Sequence, residues 1–314
     1  MLVKASAPGS LMVLGEYAVL YGQPALVCAV DKRITVSLTP RTDQAIQIHS
    51  ALGKLTVLLP ELQITAPFQF VTAVLKNFQT KIPIGCDINI EAEFAANIGF
   101  GSSAAVTVAT LLAITRWLDL TFSTEELITT ARNIIQIVQG TGSGADVAAS
   151  VLGGMVAYQM QPLQAEKISF NQPLTAVYAG YKTPTVTAIN KVQTAFAQQP
   201  ELFTVLCKAI GTCAIQGLQA VRNEDWTALG KVMDVQHGLL QALGVVTTDL
   251  NDITERLRAV DSIHGAKISG AGLGDCILGL GILADKNIPA SFQTNNTPVI
   301  ALSVGQEGAR CEKI

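Results

Sequence analysis

The chain has 314 residues, with 21 Lys and Arg against 24 Asp and Glu for a formal charge of −3; it is 49% hydrophobic and only 14% charged. At about 150 residues per domain this length implies two domains or one large one, with ample room for a core. A near-neutral balance without a basic run excludes a nucleic-acid binder that works by phosphate neutralisation, and the scarcity of charge excludes long disordered tails.

In chain order, residues 2–7 predict a strand, and 25–38, rich in Val, Ile and Ala, predict strand, turn, strand, with Asp31, Lys32 and Arg33 as the break. Residues 54–59 predict a further strand, and 87–93 alternate polar with apolar at period two, as a half-buried strand does. Helices are expected over 102–118 and 125–139; the second opens on a capping box, Ser123 with Glu126, and stops at Gly140. After a strand at 155–160, Pro and Gln accumulate over 161–173, which places the domain boundary there, with domains 1–165 and 166–314. The second half reads as a strand at 174–180, helices over 185–198, 201–222 and 225–243, an amphipathic helix carrying Leu250, Ile253 and Leu257, and short strands at 265–269, 276–284 and 297–304. The expected class is α+β in two halves.

Three glycine-rich constellations carry chemistry. Asn97-Ile-Gly-Phe-Gly-Ser-Ser-Ala-Ala105 follows a strand and opens a very apolar helix. Gly99 and Gly101 allow successive amides to point at one spot, and Ser102 and Ser103 lie where the helix dipole attracts an anion. Such a turn suits a triphosphate, with a serine hydroxyl within reach of its Mg²⁺; an ordinary glycine turn with a serine cap reads equally well from this segment alone. In Gly140-Thr-Gly-Ser-Gly-Ala-Asp-Val-Ala148 small residues precede Asp146, either a proton acceptor for a substrate alcohol or a cap on a helical run at 147–151. Lys267-Ile-Ser-Gly-Ala-Gly-Leu-Gly-Asp-Cys276 forms a loop between two strands, close to a ligand or simply a tight hairpin.

Together with Ala7-Pro-Gly-Ser-Leu-Met-Val-Leu-Gly-Glu-Tyr-Ala-Val-Leu-Tyr-Gly22, and in the same order and separations over nearly the whole chain, these motifs resemble the GHMP kinase superfamily. The resemblance implies an N-terminal half like domain 2 of ribosomal protein S5, a C-terminal ferredoxin-like half, and a site between them that uses ATP and Mg²⁺. By resemblance, Asn97, Gly99, Phe100, Gly101, Ser102, Ser103 and Ala104 would hold ATP, with Ser102 and Ser103 also reaching the metal. Asp146 would be the catalytic acid–base group, and Glu16, Tyr17, Ser143 and Gly272 would touch the substrate. Gly15-Glu-Tyr-Ala-Val-Leu-Tyr-Gly-Gln-Pro-Ala-Leu26 and the segment from His237 look like the mevalonate kinases, whereas Gly142 to Ala148 and Gly274-Asp275-Cys276 are closer to the phosphomevalonate kinases. Few cations border the motifs, which favours mevalonate over its phosphorylated form. A ligand-binding member without catalysis is the other alternative.

The chain departs from the family pattern at four places: Ser10 stands where most members have lysine, Ala95 where they have proline, Phe100 where they have leucine between the loop glycines, and residues 131–139 hold no acid. Lys182 is the expected replacement for the absent cation. Six cysteines without a CxxC pair read as reduced thiols, and the longest uncharged apolar stretch, 104–115, is shorter than the ~20 residues a bilayer requires. With no signal-peptide pattern at residues 1–10, a cytoplasmic protein is expected, with a small-molecule substrate and ATP as partners and no nucleic acid or membrane. Apolar richness is compatible with a homodimer.

Overall fold

The computed structural model describes residues 2–95, 98–283 and 298–313. The first half builds an eight-stranded sheet. Its strands are β1 (Val3–Leu14), β2 (Ala25–Pro40), β3 (Ala45–Ser50), β4 (Gly53–Leu58), β5 (Cys86–Ala92), β6 (Met155–Gln159), β7 (Gln164–Ile168) and, from the far end of the chain, β12 (Arg310–Lys313). The main order is β12-β1-β2-β5-β3-β4, antiparallel except for β3 with β5. β2 is long enough to serve two neighbours: Ala25 to Cys28 pair with β6, and Ile34 to Pro40 pair with β5. Helices α1 (Gln69–Asn77), α2 (Ser102–Trp117), α3 (Thr124–Gln139) and α4 (Ala145–Leu152) cover one face.

The second half has β8 (Leu174–Tyr178), α5 (Thr185–Ala195), α6 (Pro200–Arg222), α7 (Trp226–Ala242), α8 (Thr248–Arg258), β9 (Ile263–Ser269), β10 (Cys276–Gly281) and β11 (Val299–Leu302). Its strands form an antiparallel sheet in the order β11-β8-β10-β9. A shared core joins the halves: Leu11, Val13 and Leu26 of the first sheet pack in one cluster with Leu174, Leu278 and Met233. β1 is therefore covered on both faces, and of its twelve residues only Lys4 is exposed.

Several expectations change. The strand expected at 2–7 runs on to Leu14, because Pro8, Gly9 and Ser10 lie in the buried middle of the molecule rather than in a turn. The break expected at Asp31-Lys32-Arg33 is no turn. β2 continues through it, with a register irregularity opposite Gly9, and the Arg33 guanidinium donates to the carbonyls of Ser6 and Gly308. The division expected between 165 and 166 falls inside β7, which pairs with β6. β3, α1 and β12 were not expected; the predicted strands at 276–284 and 297–304 lie partly outside the described residues. The capping box at Ser123 and Glu126 forms as expected, and the six cysteines are unpaired. Among the described residues one helix, α6, has the length and composition to cross a membrane; Cys207, Ile210, Cys213 and Val221 turn inward, and it packs on α7, β1 and β2.

Candidate active site

The two halves enclose a cavity of about 1210 Å³, and all three glycine constellations reach its wall. α2 begins at Ser102 behind Gly101, whose φ of +58° lets the chain turn into the helix with no side chain capping it. The serine-cap alternative therefore fails. Gly101 also lies against β1: a Cβ placed on it would sit 2.1 Å from Ser10 Oγ, while Ser10 N–H donates to the Phe100 carbonyl at 3.1 Å. Gly99, Gly101, Ser102, Ser103 and Ala104 all line the cavity. Phe100 does not; its ring is buried against Phe94, centroids 5.8 Å apart, so only its backbone serves the turn. Asn97 lies outside the described residues.

Asp146 stands in the first turn of α4, which starts at Ala145 behind Gly144, two residues earlier than a cap at Asp146 would allow. Its Oδ1 accepts a hydrogen bond from Ser10 Oγ at 2.8 Å. Ser10 thus fastens the α2 turn to the acid, across 136 residues of sequence. Burial pushes the Asp146 carboxyl above the usual carboxylate range; the Ser10 hydrogen bond and the charge of Lys182 oppose that rise, and Glu16 adds to it.

Lys182 lines the same cavity, with Nζ 3.6 Å from Asp275 Oδ1. Asp275 closes the third glycine loop, is 6% exposed, and abuts the α2 turn, since a Cβ on Gly99 would meet its Oδ1 at 3.0 Å. Burial raises its carboxyl, and Lys182 opposes the rise. Sequence reasoning brought the loop that ends at Asp275 to the site but gave the Asp275 carboxylate no role.

Glu16 is at the cavity wall but 2% exposed, its carboxylate taken up by Lys267 Nζ and Gln236 Nε2. Lys267 is wholly buried, and that burial lowers its ammonium while Glu16 opposes the shift. This ion pair ties the Gly15–Tyr17 corner to β9, and Tyr17 Oη adds a hydrogen bond to the Ala271 carbonyl at 2.5 Å. Tyr17 and Ser143 line the cavity, with the Ser143 carbonyl accepting from Tyr158 Oη at 2.6 Å. Gly272 does not reach it: a Cβ there would meet the Val245 carbonyl at 2.5 Å, so this glycine packs against the chain after α7. Arg132 was missed. It projects from α3 into the cavity wall against Gly144, and with Lys182 makes up the Lys and Arg lining among the described residues. Its signal was position, one residue from buried Ala131 on an amphipathic helix.

The GHMP kinases N terminal domain model matches residues 69–154, and the GHMP kinases C terminal model matches 218–290. The mevalonate kinases of Pyrococcus furiosus and Thermococcus onnurineus are 29% and 30% identical to the chain, over all of it and 99% of each relative. This chain is a member of the GHMP kinase superfamily. Among solved structures, the Lin0012 protein from Listeria innocua covers both chains fully at 20% identity with a TM-score of 0.87, a likeness of fold. The two-domain mixed α/β architecture expected from the motifs is that of the superfamily, and the chain is a small-molecule kinase, an ATP-dependent phosphotransferase.

Proposed function

We propose that this GHMP kinase transfers the γ-phosphoryl group of ATP to the alcohol of mevalonate. The observation that carries the reading is the Ser10 bridge, which sets Asp146 beside the amide-rich turn at the start of α2. Asp146 takes the proton of the attacking hydroxyl; its upward-shifted carboxyl brings its basicity nearer to neutral pH, where a general base works best. The amides at Gly99 to Ser103 and the positive end of α2 hold the phosphates and face the charge that spreads over the transferring group. Lys182 adds a cation beside Asp275, where its charge also acts on Asp146.

The lining offers hydroxyl and carboxylate oxygens, a hard donor set that fits Mg²⁺. No cluster of three His, Cys, Asp or Glu occurs among the described residues, so nucleotide oxygens and water would complete its shell, with Ser102 and Ser103 nearest the phosphates. When bound, the metal neutralises charge on the phosphates.

Mevalonate is favoured by the names of the relatives and by the cation supply. With Lys182 beside Asp275 and Lys267 committed to Glu16, Arg132 remains for an anionic substrate group. One guanidinium matches one carboxylate; a second phosphate would call for more. ADP release measured over a panel of alcohols is expected to respond to mevalonate and to fall ~10²–10⁴-fold in Asp146→Asn with nucleotide binding retained. Response to phosphomevalonate alone would refute the substrate. ADP release indifferent to every alcohol would favour a binding protein.

A further inference from the structure

Four carboxylates line the cavity, and three accept at least one hydrogen bond. Glu16 is held by Lys267 and Gln236, Glu93 accepts from the Arg33 amide at 3.0 Å, and Asp146 accepts from Ser10 Oγ. Asp275 differs. Its buried Oδ1 accepts no hydrogen bond among the described residues, and the contact it has is the long ion pair to Lys182 Nζ at 3.6 Å. A buried carboxylate met by one ammonium beyond hydrogen-bond distance is under-satisfied, which leaves it able to take a second cation.

The backbone around it is built to keep it there. Asp275 has a φ of +66°, a conformation that Asp and Asn tolerate better than other side chains. Its N–H donates to the Tyr181 carbonyl and its own carbonyl accepts from Ala179, both at 2.9 Å. The loop thus anchors a carboxylate against Gly99, in the turn that faces the phosphates.

Bare, that position would repel a nucleotide. Around the α2 turn Asp146 and Asp275 bring two carboxylates and Lys182 one positive charge, Arg132 lying apart against Gly144, whereas a divalent cation between Asp275 and the phosphates reverses that local balance. The α3 residues on the same wall, Arg132, Ile135, Val138 and Gln139, offer no carboxylate to do this instead. We propose that Asp275 is the protein carboxylate that ligates the Mg²⁺ accompanying the nucleotide, an assignment that rests on the kinase reading above.

The test is calorimetric titration of a non-hydrolysable ATP analogue with Mg²⁺ and with EDTA. Wild type, Asp275→Asn, Asp275→Gly and Lys182→Met are compared. Asn and Gly both suit the positive φ, and metal-free nucleotide binding reports that each variant is folded. In wild type Mg²⁺ tightens binding. Both Asp275 variants are expected to lose about tenfold or more of that tightening, with metal-free affinity equal or improved, while Lys182→Met keeps the Mg²⁺ increment. An undiminished increment in the Asp275 variants overturns the assignment. An equal loss in Lys182→Met also overturns it, making Asp275 a positioning residue for that lysine. Wild type that binds no analogue in either condition would instead defeat the kinase reading.

Discussion

Replacing Gly101 by alanine tests the joint between the α2 turn and the acid. The added methyl would lie 2.1 Å from Ser10 Oγ, and Ser10 has no slack because the same hydroxyl donates to Asp146 at 2.8 Å. Three costs combine: about 1–2 kcal/mol for a side chain at positive φ, about 1–3 for overpacking, and about 1.5–3 for a disturbed hydrogen bond to a charged group. Together they come to about 3.5–8 kcal/mol, or about 5–12 °C in the melting midpoint for a chain of this size. In a Ser10→Ala background the obstructing oxygen is gone, and the nearest remaining atoms, Ser10 Cβ and N, stand 3.4 Å away, an ordinary contact. There Gly101→Ala keeps only its backbone cost, about 3 °C. Scanning fluorimetry on the four proteins of this double-mutant cycle reads the difference directly. Equal midpoint losses in both backgrounds would refute the claim that Ser10 is what Gly101 accommodates.

Two further perturbations probe the buried polar groups. Lys267→Met strands the Glu16 carboxylate and is expected to cost about 3–5 kcal/mol in chemical denaturation, whereas adding Glu16→Gln recovers most of it; a double variant no better than the single would deny the pairing its part. His237, 2% exposed, is held down to about 4 by burial, so between pH 6.5 and 4 the unfolded chain takes up a proton that the folded chain refuses. Its contribution is complete above 6.5 and is lost as pH falls through that window, about 2 kcal/mol between pH 7 and 5. His237→Gln should flatten this part of the stability profile, and an unchanged slope would count against it.

Local signals proved legible where one physical cause dominated. The capping box at Ser123, the stop at Gly140 and the period-two run at 87–93 each became the element they announced. β2 was misjudged because three charged residues look like a turn to a local reading, while Arg33 is satisfied by carbonyls at Ser6 and Gly308, 27 and 275 residues away. β12 was invisible for the same reason, since a four-residue edge strand is defined by its partner. In the site, the glycine motifs located the cavity, but the fates of side chains were set by tertiary packing. Phe100 and Gly272 turn into the core, Lys267 is spent on Glu16, and Arg132 and Asp275 gain their places from elements far off in sequence.

The antiparallel closure of β12 on β1 gives the polypeptide two crossings between its halves, one through residues 169–173 and one through 303–309. The second is clamped by Arg33 on the carbonyls of Glu307 and Gly308 and by Gly305 against Ala29. Two chain connections and the shared core of Leu11, Val13, Leu174 and Leu278 thus fasten the second half to the first, and Lys182 and Asp275 are held over the α2 turn by that joint. Synthesis meets the same constraint in reverse: the first sheet receives its last strand only after the entire second half has been made.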